Sequence, residues 1–214
     1  MPLSWDRPAD PVEEAAHAAS HLVGCALALA VWSSLAHPPG LDITSLPVAG
    51  STLFVATMLL MFVASASYHA ARPGPTKIRL RRLDHAVIFL FIAGSCTPFA
   101  LEGPEPAEQW PLLAAVWSVA LLGMALKLAD RLRHRGWSTA LYVVFGVVAG
   151  AAALPALQRV PPLTQALVLA GGLCYLVGCA FFVAGMRMRW GHLLWHLMVI
   201  VGSTCHVAAL MMAQ

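Results

Sequence analysis

Seven long apolar stretches, separated by short polar gaps, constrain this chain more than any other feature. They lie near residues 16–36, 48–70, 84–101, 111–129, 138–157, 163–186 and 191–212. A helix needs roughly 20 apolar residues to cross the hydrocarbon core of a bilayer, and each stretch is close to that length. Backbone groups in lipid must be hydrogen-bonded within the segment, so all seven are predicted to be helices. The expected fold is an all-α membrane protein, a seven-transmembrane helix bundle.

The composition supports this prediction, because charged residues are too scarce for an ordinary soluble domain. Only 11% of the 214 residues are charged and 59% are hydrophobic, whereas soluble domains carry about 25% charged residues. These proportions exclude a secreted soluble enzyme and a disordered chain. A formal net charge of +3 is too small to indicate a nucleic-acid partner. Membrane lipids are therefore the predicted partners.

The basic residues are distributed unequally between the gaps, and this predicts the orientation of the bundle. Twelve of the thirteen Lys and Arg residues lie at the N-terminus or beside the gaps that follow spans 2, 4 and 6. Because basic loops stay in the cytoplasm, the N-terminus is predicted inside and the C-terminus outside. Residues 1–15 are expected to form a cytoplasmic segment without a cleavable signal peptide, and residues 16–214 a single transmembrane domain. The predicted location is the plasma (inner) membrane.

The basic segment 72–82 has two interpretations. It can simply determine the topology of the bundle, which is the preferred interpretation. It can also attract anionic lipid head groups. Charge alone does not separate the two.

Nine histidines, several of them at span ends, are the outstanding polar feature. Ionisable groups inside membrane spans are costly and therefore mark functional sites. His192 and His196 lie four residues apart, which puts both imidazoles on one face of span 7. The predicted orientation brings His69, at the end of span 2, to the same depth. Three histidine nitrogens and a water make the open tetrahedral site of a catalytic zinc.

Two further polar residues lie at the same predicted depth. Asp84 begins span 3, and Ser65 lies one turn before His69. Asp84 can orient or deprotonate a water, and Ser65 can hydrogen-bond that water or a substrate carbonyl. The predicted site therefore has His69, His192 and His196 as zinc ligands, with Asp84 and Ser65 as catalytic residues.

Three other histidines are candidates for roles in or near this site. His17 and His21 form a second pair four residues apart, so span 1 can also supply a ligand. For His21, an outer contact or a packing role is the preferred interpretation. His206 lies ten residues beyond His196, about 15 Å along the helix. It is too far away for the same ion, and hydrogen bonding within the bundle is its expected role.

Two local signals concern helix ends. Asp10, Pro11 and Glu13 have the N-cap, first-turn proline and N3 glutamate of a helix start. Residues 95–98 in span 3 end in Pro98 and predict a kink or the end of that helix. Both signals concern backbone geometry.

Four groups of polar and small residues lie one after another along the chain. They are Glu13, Glu14, Ser20, His21 and Gly24 in span 1; Ser65, Tyr68 and His69 in span 2; Asp84, His85, Gly94, Thr97 and Pro98 in span 3; and His192, His196 and His206 in span 7. Together they resemble the hemolysin III family, the bacterial branch of the progestin and adipoQ receptor superfamily, which is related to the alkaline ceramidases. Spans 4 to 6 are similar only in hydropathy. His17 departs from the family pattern, which usually has an asparagine there.

The resemblance implies a seven-helix bundle with its N-terminus inside. It also implies zinc held by His69, His192 and His196, with Asp84 linked to the zinc through water and Ser65 nearby. The activity it implies is hydrolysis of a lipid amide such as ceramide. The departure at His17 leaves the role of span 1 open.

The predicted function is therefore that of a zinc-dependent lipid amide hydrolase at the cytoplasmic leaflet. One alternative is a sensor of membrane properties or a signalling bundle, in which a structural zinc holds spans 2, 3 and 7 together. Another is a pore-forming or cytolytic protein, as the family name suggests, although no span shows the repeated polar stripe of a water-filled path. The oligomeric state does not follow from the sequence.

Overall fold

The computed structural model describes residues 10–35, 46–101, 110–185 and 188–213. These residues form seven helices and no strand: α1 (Pro11–Leu35), α2 (Leu46–Ala70), α3 (Pro75–Leu101), α4 (Trp110–Leu128), α5 (Arg135–Leu157), α6 (Pro162–Ala184) and α7 (Gly191–Ala213). All seven are long and apolar enough to cross a membrane. The predicted all-α architecture of seven membrane-spanning helices is confirmed.

Two helices begin five residues or more before the predicted apolar stretches. α1 begins at Pro11, where the Asp10 side chain accepts a hydrogen bond from the Val12 backbone N–H at 2.9 Å. The helix start predicted from Asp10 and Pro11 is therefore confirmed. α3 begins at Pro75, nine residues before the predicted start of span 3. Most of the basic segment 72–82 is therefore helical. Lys and Arg are good helix formers, but hydropathy marks only the part of a helix that lies in lipid, so the apolar stretch did not include these residues.

Helix α3 does not end at Pro98 but continues to Leu101. Proline lacks a backbone N–H and disturbs the hydrogen bonding of the preceding turn. Here the Thr97 hydroxyl donates to the Ala93 carbonyl at 2.8 Å, next to the Gly94 carbonyl to which Pro98 cannot donate. Gly50 of α2 packs closely on the proline, since a Cβ at Gly50 would lie 3.0 Å from Pro98 Cα. Close packing against α2 supports the helix through Pro98.

Helix α3 lies between two hydrophobic cores. The first core combines α1, α2, α3 and α7 around Phe54, Phe62 and Leu210. The second combines α3, α4 and α5 around Phe89 and Phe145. Helices α4, α5 and α6 expose rows of large apolar side chains, as expected of a lipid-facing surface. These include Leu121, Leu122, Val147, Val148, Leu169 and Leu173.

The C-terminal ends of α2, α4 and α6 and the N-terminal ends of α1, α3, α5 and α7 lie at one end of the bundle, called here the cytoplasmic end after its predicted orientation. Arg82 of α3 binds Asp130 after α4 at 3.0 Å, and Glu13 of α1 accepts from the Trp190 backbone N–H at 3.0 Å. The orientation and the domain boundary at residue 15 stay predictions. Arg7 and Arg187, two of the basic residues used for the orientation, lie outside the described residues.

Candidate metal centre

Four histidines from three helices meet at the cytoplasmic end. His69 is the penultimate residue of α2, His192 and His196 occupy the first two turns of α7, and His17 lies in the second turn of α1. The Nε2 atoms of His69 and His192 are 3.3 Å apart. Those of His192 and His196 are 3.1 Å apart. The structure thus brings together the three side chains predicted as zinc ligands.

Hydrogen bonding does not account for both of these contacts. A ring nitrogen carries one hydrogen or one lone pair in the plane of the ring, so His192 Nε2 can form only one linear hydrogen bond. It nevertheless faces the Nε2 atoms of both His69 and His196. Zinc–nitrogen bonds of about 2.0–2.1 Å in a tetrahedral site put ligand nitrogens about 3.3–3.4 Å apart. The separation of His192 from His69 and that of His192 from His196 are each close to that value, so each of these two pairs fits a shared metal ion.

Two of the histidines direct their other ring nitrogen to α1. His69 Nδ1 lies 3.4 Å from a carboxylate oxygen of Glu14, and His196 Nδ1 lies 3.0 Å from the Ser20 hydroxyl. A hydrogen bond such as the one between His196 Nδ1 and Ser20 orients an imidazole and selects its tautomer. α1 therefore contacts two of the candidate ligands, one on α2 and one on α7.

The acidic pair at the start of α1 also holds that helix in position. The Lys77 ammonium donates to the Glu14 carboxylate and to the Ala71 carbonyl at 3.1 Å. On the other side, Glu13 accepts from the backbone of Trp190, just before α7. Glu13 and Glu14 thus connect α1 to both segments that carry the histidines.

His17 belongs to the same cluster. One of its ring nitrogens lies within 4.8 Å of ligand nitrogens of His69 and His192, and these three form a possible metal-binding group. This group shares His69 and His192 with the predicted ligand set but has His17 in place of His196. The sequence left the role of His17 open. The only signal in the sequence was the four-residue spacing of His17 and His21, which does not show which of the two faces the other histidines.

His21 and His206 have other environments. The His21 ring stacks on His196 with an interplanar angle of 8° and a centroid distance of 3.7 Å. Lone pairs in two parallel rings do not converge on one point, which agrees with a packing role for His21. His206 lies 3.1 Å from the Val168 carbonyl, to which its Nε2 donates. This is the hydrogen bond within the bundle that was expected of His206.

Asp84 and Ser65 contact each other beside this cluster. Both side chains are buried, and the Ser65 hydroxyl is hydrogen-bonded to the Asp84 carboxylate. Ser65 lies one turn before His69 on α2, about 6 Å along the helix axis. His85 Nε2 is 3.9 Å from the same carboxylate. The Lys127 ammonium, held by the Leu132 carbonyl at 2.8 Å, also interacts electrostatically with Asp84.

A cavity of about 500 Å³ opens beside the histidine cluster. His192 and Trp195 form part of its wall. Basic residues lie along another part, with Arg81 and Lys127 among them. The cavity therefore connects a possible metal ligand with a positively charged surface.

Comparison with known proteins identifies the family of this chain. The sequence model of the family described as Haemolysin-III related matches residues 10–207. The chain is 31% identical over 191 residues to Hemolysin-3 of Bacillus cereus, covering 89% of this chain and 87% of that protein. It is 30% identical over 191 residues to a Hemolysin-3 homolog of Bacillus subtilis (strain 168), covering 89% of each. No solved structure matches the chain significantly. The chain is a multi-pass membrane protein that belongs to the haemolysin III family.

Proposed function

We propose that this protein is a zinc-dependent hydrolase that cleaves a lipid amide at the cytoplasmic leaflet of the plasma membrane. The observation that carries the proposal is the contact of His192 Nε2 with the Nε2 atoms of both His69 and His196. Two such contacts to one imidazole nitrogen are explained by a shared metal ion. The resemblance to a superfamily that is related to the alkaline ceramidases supports the choice of reaction.

In this proposal His69, His192 and His196 hold the zinc. The ion supplies a Lewis acid that makes a bound water more acidic and polarises a carbonyl. Imidazole nitrogens are common zinc ligands, and three of them leave one position open. Glu14 and Ser20 keep two of the rings oriented through their Nδ1 atoms.

Asp84 carries the proton in the proposed reaction. It accepts a proton from the attacking water and returns it to the leaving nitrogen. The water oxygen forms a bond to the acyl carbon while the carbon–nitrogen bond breaks, which yields a fatty acid and a free amine. Ser65 holds the Asp84 carboxylate in position through its hydrogen bond.

The cavity beside His192 is the proposed binding site for the polar part of the lipid. Its volume of about 500 Å³ is sufficient for a head group and the carbons next to it. Arg81 and Lys127 in its wall favour a lipid with an anionic or strongly polar head group. Membrane lipids are therefore the proposed partners.

Metal content is the first test of the proposal. Purified in detergent and loaded with zinc, the wild-type protein should carry about one zinc ion per chain. His192→Ala and His196→Ala should lose most of it. His134→Ala removes an exposed histidine and controls for adventitious binding. Unchanged zinc content in both α7 variants would contradict the proposed site.

Turnover is the second test. The zinc-loaded protein is incubated with a panel of N-acyl lipids, and released fatty acid is measured. Asp84→Asn should retain zinc but reduce release by at least about 100-fold, since a positioned acid–base group contributes that much. If wild type releases no fatty acid from any lipid tested, the hydrolase assignment is wrong even when zinc is bound.

A structural zinc in a sensor or signalling bundle is the second candidate. It is favoured by the proximity of His17, because a fourth imidazole would close the metal site, and closed sites are typical of structural zinc. In that case Asp84→Asn should leave both the zinc content and the function of the protein unchanged.

Cytolysis is the third candidate, because both relatives are named as hemolysins. The purified protein would then release haemoglobin from erythrocytes. His192→Ala distinguishes cytolysis from the two metal-dependent functions, since a lytic activity unrelated to the metal should survive that substitution. Absence of haemoglobin release from wild type would eliminate this candidate.

A further inference from the structure

We infer that His17 binds the same metal ion as His69, His192 and His196, so that four imidazoles hold the ion in the resting protein. This inference rests on the zinc site of the proposed function. It concerns a residue that the resemblance leaves unassigned, since asparagine is usual at this position.

His17 is buried without a hydrogen-bond partner. Its side chain is 6% exposed, and neither Nδ1 nor Nε2 has a hydrogen-bond partner among the residues that the structure describes. An imidazole that leaves water without such a partner is destabilising. Most buried polar atoms in proteins are paired, and an exception calls for an explanation such as an ion. A metal ligand role gives one nitrogen of His17 its partner.

The ring geometry agrees with this role. The centroid of the His17 ring lies 4.8 Å from that of His69 and 4.7 Å from that of His192. It lies 5.3 Å from that of His196. The interplanar angles are 66°, 70° and 51°, so the His17 ring stands edge-on or tilted to each of the other three rings. This differs from His21, which stacks flat on His196.

The contacts of α1 hold His17 toward the cluster. Glu14, one turn before it, reaches His69 and Lys77. Ser20, one turn after it, reaches His196. Residues three apart share a helix face, so the face that carries Glu14 and Ser20 also carries His17. A nitrogen of His17 already lies within 4.8 Å of those of His69 and His192, and a change in side-chain torsion can close the remaining distance.

A fourth imidazole changes what the site can do. Four protein ligands make a closed site, whereas a catalytic zinc keeps one position for water or substrate. Hydrolysis would therefore begin only after His17 leaves the ion.

Counting imidazoles at the metal tests the inference directly. X-ray absorption spectroscopy of the zinc-loaded wild-type protein in detergent should give four imidazole ligands. His17→Asn should give three imidazoles and one oxygen donor. Its zinc dissociation constant should rise at least about 10-fold, since the loss of a residue that only contacts a ligand already has an effect of that size. His21→Asn is the matched control, because His21 lies one turn further on the same helix and is also buried without a hydrogen-bond partner among the described residues. Its imidazole count should equal that of wild type.

The outcomes separate this inference from the proposed function. Three imidazoles and an oxygen donor in the wild-type protein would overturn the role of His17 and leave the zinc site intact. A wild-type protein that binds no zinc would overturn both. The wild-type count needs no variant, so it decides the matter even if His17→Asn fails to fold.

Discussion

The hydroxyl of Ser20, on α1, determines which ring nitrogen of His196, on α7, carries the hydrogen. It donates its single hydrogen to the His17 backbone carbonyl at 2.8 Å. It can therefore only accept in its 3.0 Å contact with His196 Nδ1. His196 Nδ1 must then carry the hydrogen, which leaves the lone pair on Nε2, facing His192. Metal binding through Nε2, as proposed for His196, requires this tautomer.

Replacing Ser20 with alanine should therefore weaken zinc binding. Loss of this contact frees the tautomer and orientation of His196, and the zinc dissociation constant should rise about 10- to 100-fold. Competition with a chelator measures this constant. Ser33→Ala is the control, since Ser33 donates to the Ala30 carbonyl in the same way, at 2.9 Å, near the other end of α1. Equal dissociation constants for the two variants would show that Ser20 does not orient His196.

The approach of α6 to α7 depends on two glycines that face each other. A Cβ at Gly202 would lie 2.9 Å from the Gly171 carbonyl oxygen, and a Cβ at Gly171 would lie 2.9 Å from the Gly202 carbonyl oxygen. Small residues let membrane helices pack at such short distances. Because α7 carries His192 and His196, this contact helps to determine where two of the candidate ligands lie.

Gly171→Ala should destabilise the protein, whereas Gly172→Ala should not. The methyl group that alanine adds at position 171 would also lie only 2.3 Å from the His206 ring. Overpacking of this kind costs about 1–3 kcal/mol. No atom lies within 4 Å of a Cβ at Gly172, so alanine there should raise the free energy of unfolding by about 0.4–1 kcal/mol. Thermal unfolding in detergent compares the two variants. A Gly171→Ala variant as stable as Gly172→Ala would mean that the helices are not this close.

In the part of the molecule that the structure describes, the candidate metal centre and the polar groups around it lie at one end of the bundle. The histidine cluster, the Asp84 and Ser65 pair and the basic cavity all lie at the end where α2 terminates and α7 begins. Two hydrophobic clusters lie along the same helices, together with single buried polar side chains such as Thr57, Thr97 and His206. The loop charges predict that this end faces the cytoplasm.

That orientation can be tested with cysteine labelling in intact cells. Arg159 lies between α5 and α6, and Arg133 lies between α4 and α5, so the two positions should be on opposite sides of the membrane. Arg159→Cys should react with a membrane-impermeant maleimide before lysis, and Arg133→Cys only after it. Unsubstituted protein measures the background from the five native cysteines. The reverse pattern would invert the predicted topology.

Some features of the site could be predicted from the sequence and others could not. The convergence of His69, His192 and His196 was predictable, because hydropathy and charge gave each residue a depth. The different roles of His17 and His21 were not, since both lie at the cytoplasmic end of α1 with the same spacing signal. The early start of α3 at Pro75 was also missed, because hydropathy follows lipid contact and a helix can extend beyond the lipid.

The linear order of apolar and basic residues is enough to predict seven spans, their alternating direction and the depth of each polar residue. Depth follows from the free energy of moving single residues into lipid, which is largely a property of each residue type. Rotation about each helix axis is different, because it results from packing between helices distant in sequence. That packing turns His17 toward His69 and His192, lays His21 flat on His196 and brings Ser20 to His196. The sequence alone thus predicts the membrane depth of the candidate metal centre, whereas the packing of the helices decides which residues form it.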